Sequence, residues 1–339
     1  MHGARSISVV DQTLMRLSLG ILLGAALITA AAGHAGNKTE LAPEVFAQGV
    51  ISTDLDESCG SFSPDGQTFY FVRRGAYTTS PAISIICFSE LRDGKWAHPE
   101  VAPLSGTYLD ASPYFSADGK RLFFSSKRPT KSKPNGRDWN IWFVDKIDNH
   151  WSDAQEVGEP INTAKNDTNP AVAADGTMYL ASDRDGVPGY FHIYRARLTN
   201  GKYEQPEKLG PEINGGDADV NPYISPDQKS LIFASYRKDT LAGGGNHYDR
   251  ADLYVSVNRD GHWTPARHLE HGINTSASEG NPTMSPNGNW FYFTSERGPF
   301  EVPMKEKLTT ASWQDRQRTT ENGVGNIYRI SANALELDR

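Results

Sequence analysis

Five short apolar runs punctuate the chain: Phe69-Tyr70-Phe71, Leu122-Phe123-Phe124, Met178-Tyr179-Leu180, Leu231-Ile232-Phe233 and Phe291-Tyr292-Phe293. None alternates apolar with polar. A strand with one wet face alternates, so a continuous run predicts a strand covered on both faces. A turn signal precedes each run: Ser63-Pro64-Asp65-Gly66, Ser116-Ala117-Asp118-Gly119, Ala173-Ala174-Asp175-Gly176, Ser225-Pro226-Asp227-Gln228 and Ser285-Pro286-Asn287-Gly288. Asp-Gly and Asn-Gly tolerate the positive φ that tight hairpins demand. The turn centres at 65, 118, 175, 227 and 287 recur every 52 to 60 residues, enough for four strands and their loops. Third strands come next at Asn140-Ile141-Trp142, His192-Ile193-Tyr194, Asp252-Leu253-Tyr254 and Asn326-Ile327-Tyr328, with a degenerate Ser84-Ile85-Ile86 in the first copy. Fourth strands are marked by Trp96, Trp151, Tyr203 and Trp263, and an Ile-Asn pair recurs after three of them, at 161–162, 213–214 and 273–274.

The ends of the chain set the count. Nothing after Tyr328 supplies a fourth strand, whereas Pro43-Glu44-Val45 repeats Pro99-Glu100-Val101 letter for letter. The pattern therefore predicts an all-β fold: a five-bladed β-propeller of four-stranded antiparallel blades, closed by an N-terminal strand completing the last blade. Closure of that kind removes exposed sheet edges.

The succession acidic-x-x-Pro, Ser-Pro-Asp-Gly, apolar triplet, Ser-x-Arg and Asp-Ile-Tyr resembles the TolB-like β-propeller repeat, a relative of WD-type repeats. The resemblance covers residues ~40–331 and implies the fold without implying a function, because propellers host unrelated activities. TolB-like translocation proteins carry a further N-terminal α/β domain and usually six blades. Neither is expected here, so their lipoprotein-partner role is not carried over.

Composition narrows the setting. The formal charge of −7 is offset by no basic stripe, which argues against nucleic-acid binding and against docking on anionic lipid. Arg5 and Arg16 precede an uncharged apolar run, Leu17–Ala32, with small residues at Ala32 and Ala35. This reads as a signal peptide over residues 1–35, followed by a single propeller domain over 36–339. The run is shorter than the ~20 residues of a membrane span, so no stable membrane insertion is expected after its removal. The expected location is periplasmic or secreted. Cys59 and Cys87 fall on the first and third strands of one blade, about 9–10 Å apart at ordinary strand spacing. That is beyond the ~7 Å reach of a disulfide, and free, buried thiols are expected.

An acidic residue stands eight positions before each turn Asp or Asn: Glu57, Asp110, Asp167, Asp219 and Glu279. An arginine comes after each apolar run: Arg74, Arg128, Arg184, Arg237 and Arg297, the first in step only if one residue is deleted there. These ten form the candidate ligand-binding set near the mouth of the central channel. Five carboxylates in a ring repel, so each requires a cation, water or a bound ion, and the arginines are the expected partners. Recurrence in every copy points to an ion pair joining blade to blade; a charged funnel selecting a ligand is the functional alternative. Loops between second and third strands vary most, at 75–81, 129–137, 185–190, 238–250 and 298–325, and variable loops on a rigid scaffold carry binding. The Gly243-Gly244-Gly245 triplet lacks the context of a phosphate loop. His262, His268 and His271 straddle an outer strand and its exit, and no metal site is assigned to them.

Two functions are compatible with this pattern. The first is a non-enzymatic binding or scaffold module whose partner is an envelope protein, peptide or glycan held at one face. The second is a carbohydrate-active enzyme, glycosidase or lyase, using two of the channel-mouth carboxylates. That would require an unpaired pair ~5–9.5 Å apart. No cofactor is expected, with a structural cation in the central channel as the alternative.

Overall fold

The computed structural model describes residues 41–75, 83–131, 133–134, 136–238, 250–299 and 307–338. The expected signal peptide and the Gly243–Gly245 triplet lie outside these. The described residues belong to one compact unit, Glu40–Arg339.

Five antiparallel sheets form the blades. Blade 1 runs outward through Asp56–Phe62, Thr68–Arg74, Ser84–Arg92 and Glu100–Val101. The innermost strands of blades 2 to 5 are Asp110–Phe115, Asp167–Val172, Asp219–Ile224 and Glu279–Met284. In the last blade Asn326–Ser331 pairs on its outer side with Glu44–Val45, Glu44 opposite Arg329 and Val45 opposite Tyr328. Glu100–Val101 meets Phe88 and Cys87 in the same register, so the letter-for-letter repeat marks one structural role. The ring is closed by the N-terminal strand, with five blades.

The apolar triplets are the second strands, and Phe69, Phe71, Leu122, Phe124, Phe233 and Phe291 among them are fully buried. Their continuity reflects neighbours on both faces. A second periodicity lies in the junctions between blades. The middle residue of each triplet, at 70, 123, 179, 232 and 292, is covered from the next blade. Trp151 Nε1 donates to the Tyr70 hydroxyl at 2.9 Å. Trp263 meets Tyr179 edge-on, Trp96 packs with Tyr292, and Tyr203 packs over the cluster containing Phe123. Blade 5 has no such outer hairpin. The 3-10 helix Ala332–Leu335 takes its place and packs Ala334 and Leu335 on Ile232.

Every innermost strand carries a bulge two residues after its acidic residue. The residues there, Cys59, Ser112, Asn169, Asn221 and Asn281, have φ of 50° to 57°, and the register slips at each. Asn tolerates this left-handed region better than most residues. The five side chains line a cavity of about 30 Å³, room for one water. Asn169 Nδ2 donates to Ser112 Oγ at 2.7 Å, and Cys59 Sγ donates to Asn281 Oδ1 at 2.8 Å. Cys59 and Cys87 are free and buried.

The expected loop at 298–325 contains the helix Thr310–Gln317, whose Thr309 and Ser312 form a reciprocal cap. Among the described residues no helix is long and apolar enough to cross a membrane.

Candidate functional site

The five carboxylates sit at the start of the innermost strands, at the end of the wheel that carries the long loops. Glu57, Asp110, Asp167 and Asp219 are 0% exposed and Glu279 is 1%. A carboxylate so deeply buried is tolerable only with several hydrogen bonds or a charge partner, and each has them.

The segment entering each blade supplies the first set. Thr53 gives Glu57 its amide (3.0 Å) and hydroxyl (2.6 Å). Thr163 does the same for Asp167 (2.6 and 2.8 Å) and Thr275 for Glu279 (3.0 and 2.7 Å). Ser105 Oγ serves Asp110 at 2.8 Å, and the Gly216 amide serves Asp219 at 3.1 Å. The second strand supplies the rest. Ser182, Ser235 and Ser295 donate to Asp167, Asp219 and Glu279 at 2.6, 2.5 and 2.7 Å. Arg128, Arg184 and Arg297 approach Asp110, Asp167 and Glu279 at 2.9, 2.7 and 3.6 Å. Arg237 meets Ser235 Oγ at 3.2 Å and acts on Asp219 from there. Burial raises Glu57 and Glu279 above the usual carboxylate range and lifts Asp219 to about 6, against the hydrogen bonds and arginines that lower them.

The first copy departs from the sequence-based match. Arg73, not Arg74, approaches Glu57, at 3.2 Å; Arg74 lies 4.0 Å from Asp56. The physical reason is register. Glu57 faces Arg73 across the strand pair, where the other acids face Ser126, Ser182, Ser235 and Ser295. The later arginines reach back from two residues beyond that serine, whereas Arg73 replaces the serine itself. Its guanidinium still finds the linker carbonyl, Val50 O at 3.2 Å. Arg128, Arg184, Arg237 and Arg297 likewise bond the carbonyls of Leu104, Ile161, Ile213 and Ile273.

The Ile-Asn pairs complete the joint. Asn214 accepts from the Ile193 amide at 2.7 Å and donates to the Ile193 carbonyl at 3.0 Å. Asn162 and Asn274 grip Ile141 and Leu253 in the same way. The amide thus continues the outer strand by one rung. The sequence pattern marks three copies; Ser105 on Ile86 and Ser52 on Ile327 are the other two, with a shorter side chain. Each linker therefore binds the third strand of one blade through Asn or Ser. It binds the acid and arginine of the next through Thr, Ser, Gly or its carbonyl.

The same end of the wheel is where exposed apolar side chains gather. Leu55, Ile83, Tyr108, Val187, Tyr190 and Trp313 are all at strand starts or in loops of this face, against Ile147 and Leu198 at the opposite end and Val101 on the outer strand of blade 1. Arg128 stands over the Tyr108 ring at 5.3 Å. Among the described histidines, His268 bonds buried Asp252 at 2.7 Å and His271 lies 3.3 Å from Glu336. No group of three or more His, Cys, Asp or Glu among the described residues is placed to hold a metal.

These features define a five-bladed β-propeller with acid–arginine joints between blades. No family model and no curated protein matches the chain. Among solved structures it is similar to TolB from Acinetobacter baumannii, at 18% identity and TM-score 0.45, over 81% of this chain and 54% of that one. The chain thus spans about half of that protein. It is also similar to a putative TolB from Agrobacterium tumefaciens (14%, TM-score 0.45, 81% and 90%). The GH43 endo-arabinanase from Bacillus licheniformis is a comparable match (13%, TM-score 0.45, 83% and 96%). Likeness at this level concerns fold.

Proposed function

We propose that the protein is an exported binding or scaffold module that holds a protein, peptide or glycan partner on its loop-bearing face. The observation that carries this is the division of labour at that face. The repeated carboxylates and arginines are consumed in joints between blades, while unrepeated apolar and aromatic side chains stand exposed around them. Exposed apolar and aromatic side chains on the loop-bearing face of a rigid scaffold suit partner binding. Acid–base catalysis at the channel mouth needs two carboxylates facing each other with open access, and these five are hydrogen-bonded within the protein wall. Export rests on the apolar run Leu17–Ala32.

The test is capture of envelope proteins and glycans by the propeller domain, repeated with Trp313→Ala and Tyr190→Ala together. Loss of a specific capture in the double variant, with Ile147→Ala as an unaffected control, is the expected result. Turnover of a polysaccharide, abolished by Asp167→Asn, would replace this reading with the enzyme.

A further inference from the structure

The junction between blades 2 and 3 differs from the others. Tyr203 stands where Trp96, Trp151 and Trp263 fill the other hairpin junctions, and beside it lies a cleft of about 970 Å³. The corresponding cleft between blades 5 and 1, with Trp96 in that position, is about 530 Å³. The larger value is at the upper end of small-molecule sites.

The opposing residue changes too. Trp151 closes on the hydroxyl of Tyr70, but Tyr203 packs toward Phe123, which has no polar atom. The Tyr203 hydroxyl has no hydrogen-bond partner among the described residues, and burial pushes it up to about 12. Facing the cleft are planar bidentate groups already oriented. Arg121 pairs with Asp145 through two bonds of 2.6 and 2.9 Å and stands over the Phe143 ring, 3.8 Å from its centroid. Glu156 and Lys202 add acceptors and donors, and Leu198, Val157 and the Tyr203 ring add apolar surface. Acidic and basic side chains are nearly balanced along the walls, which favours neither a polyanion nor a polycation.

We infer that this cleft is a binding site for a short neutral oligosaccharide. A sugar presents what the walls complement: hydroxyls that pair with fixed Arg–carboxylate and phenol groups, and C–H faces that lie on aromatic and aliphatic surface. The site is separate from the loop-bearing face and stands or falls apart from it.

The test is calorimetric titration of the propeller domain with maltotetraose, cellotetraose and chitotetraose. At least one should bind saturably. Tyr203→Trp, which restores the residue of the other junctions, should abolish that binding while the thermal midpoint holds. Leu198→Trp, at an exposed position of the same cleft, does the same should Tyr203→Trp not fold. Tyr203→Phe should weaken binding about tenfold, the worth of one hydrogen bond. Trp313→Ala should leave it unchanged. Absence of saturable binding by all three sugars overturns the inference. So does affinity untouched by both cleft-filling variants, or binding of neutral tetrapeptides in place of sugars.

Discussion

At the residue scale the buried acids divide by what their neighbours can offer. Glu57 has Arg73 at 3.2 Å, so Arg73→Ala leaves a fully buried carboxylate without its cation. Such a loss costs about 3–5 kcal/mol. Arg74→Ala removes a partly exposed cation 4.0 Å from Asp56 and leaves the Glu57 pair intact, so it should cost less than Arg73→Ala. Urea denaturation of the two variants separates the observed register from the one the sequence suggests. Asp219 makes a different prediction. Its carboxyl is raised to about 6 by burial, so between the unfolded value near 4 and pH 6 the folded protein binds more protons than the unfolded chain. Stability contributed by this group is then greatest at acid pH and falls as pH rises through that window. Asp219→Asn lacks the titration. The stability of wild type relative to Asp219→Asn should decline between pH 4 and pH 7, measured by denaturant midpoints across that range.

At the element scale the unit of construction is the linker rather than the blade. Asn214 satisfies both backbone groups of Ile193 with one side chain, and neither can reach water. Asn214→Ala therefore orphans the buried Ile193 amide, while the carbonyl keeps its bond from Leu209 N at 3.0 Å, and should cost about 1–3 kcal/mol, detectable as a lowered urea midpoint with an unchanged slope. The strand count, the turns and the Ile-Asn pairs were legible in the chain because each needs a particular residue type: Gly or Asn for positive φ, Asn for a two-sided grip. Ser52 and Ser105 were not, since serine fits many local roles. Arg73 was missed because a guanidinium on a long flexible stem reaches one place from two different backbone positions. The ring of Cys59, Ser112, Asn169, Asn221 and Asn281 was also hidden. Its signature is a bulge, and bulges arise from pairing that a single strand does not reveal. The helix Thr310–Gln317 buries no residue, so no apolar stripe announced it.

At the scale of the whole molecule, closure concentrates on very few residues. The strand that completes blade 5 is only Glu44–Val45, and backbone pairing over two residues cannot by itself hold a ring. The next residue along the chain does more. Phe46 is 3% exposed and meets Phe69, Trp96 and Tyr292 edge-on at 5.2, 5.6 and 4.9 Å, so one ring packs against residues of both the first and the last blade. Glu44 pairs with Arg329, but on the surface, where such pairs contribute little. The apolar anchor, not the ion pair, should therefore carry closure. Phe46→Ala is expected to cost about 3–5 kcal/mol, and Glu44→Ala under about 1 kcal/mol. The two variants also differ in kind. Losing Phe46 frees the final sheet's outer edge at Asn326–Ser331, a template for pairing with another chain. Phe46→Ala should then show concentration-dependent association by light scattering near its unfolding midpoint, and Glu44→Ala should not. Equal losses in both, or a Phe46→Ala protein that stays monomeric and as stable as wild type, would mean that the ring is held shut elsewhere.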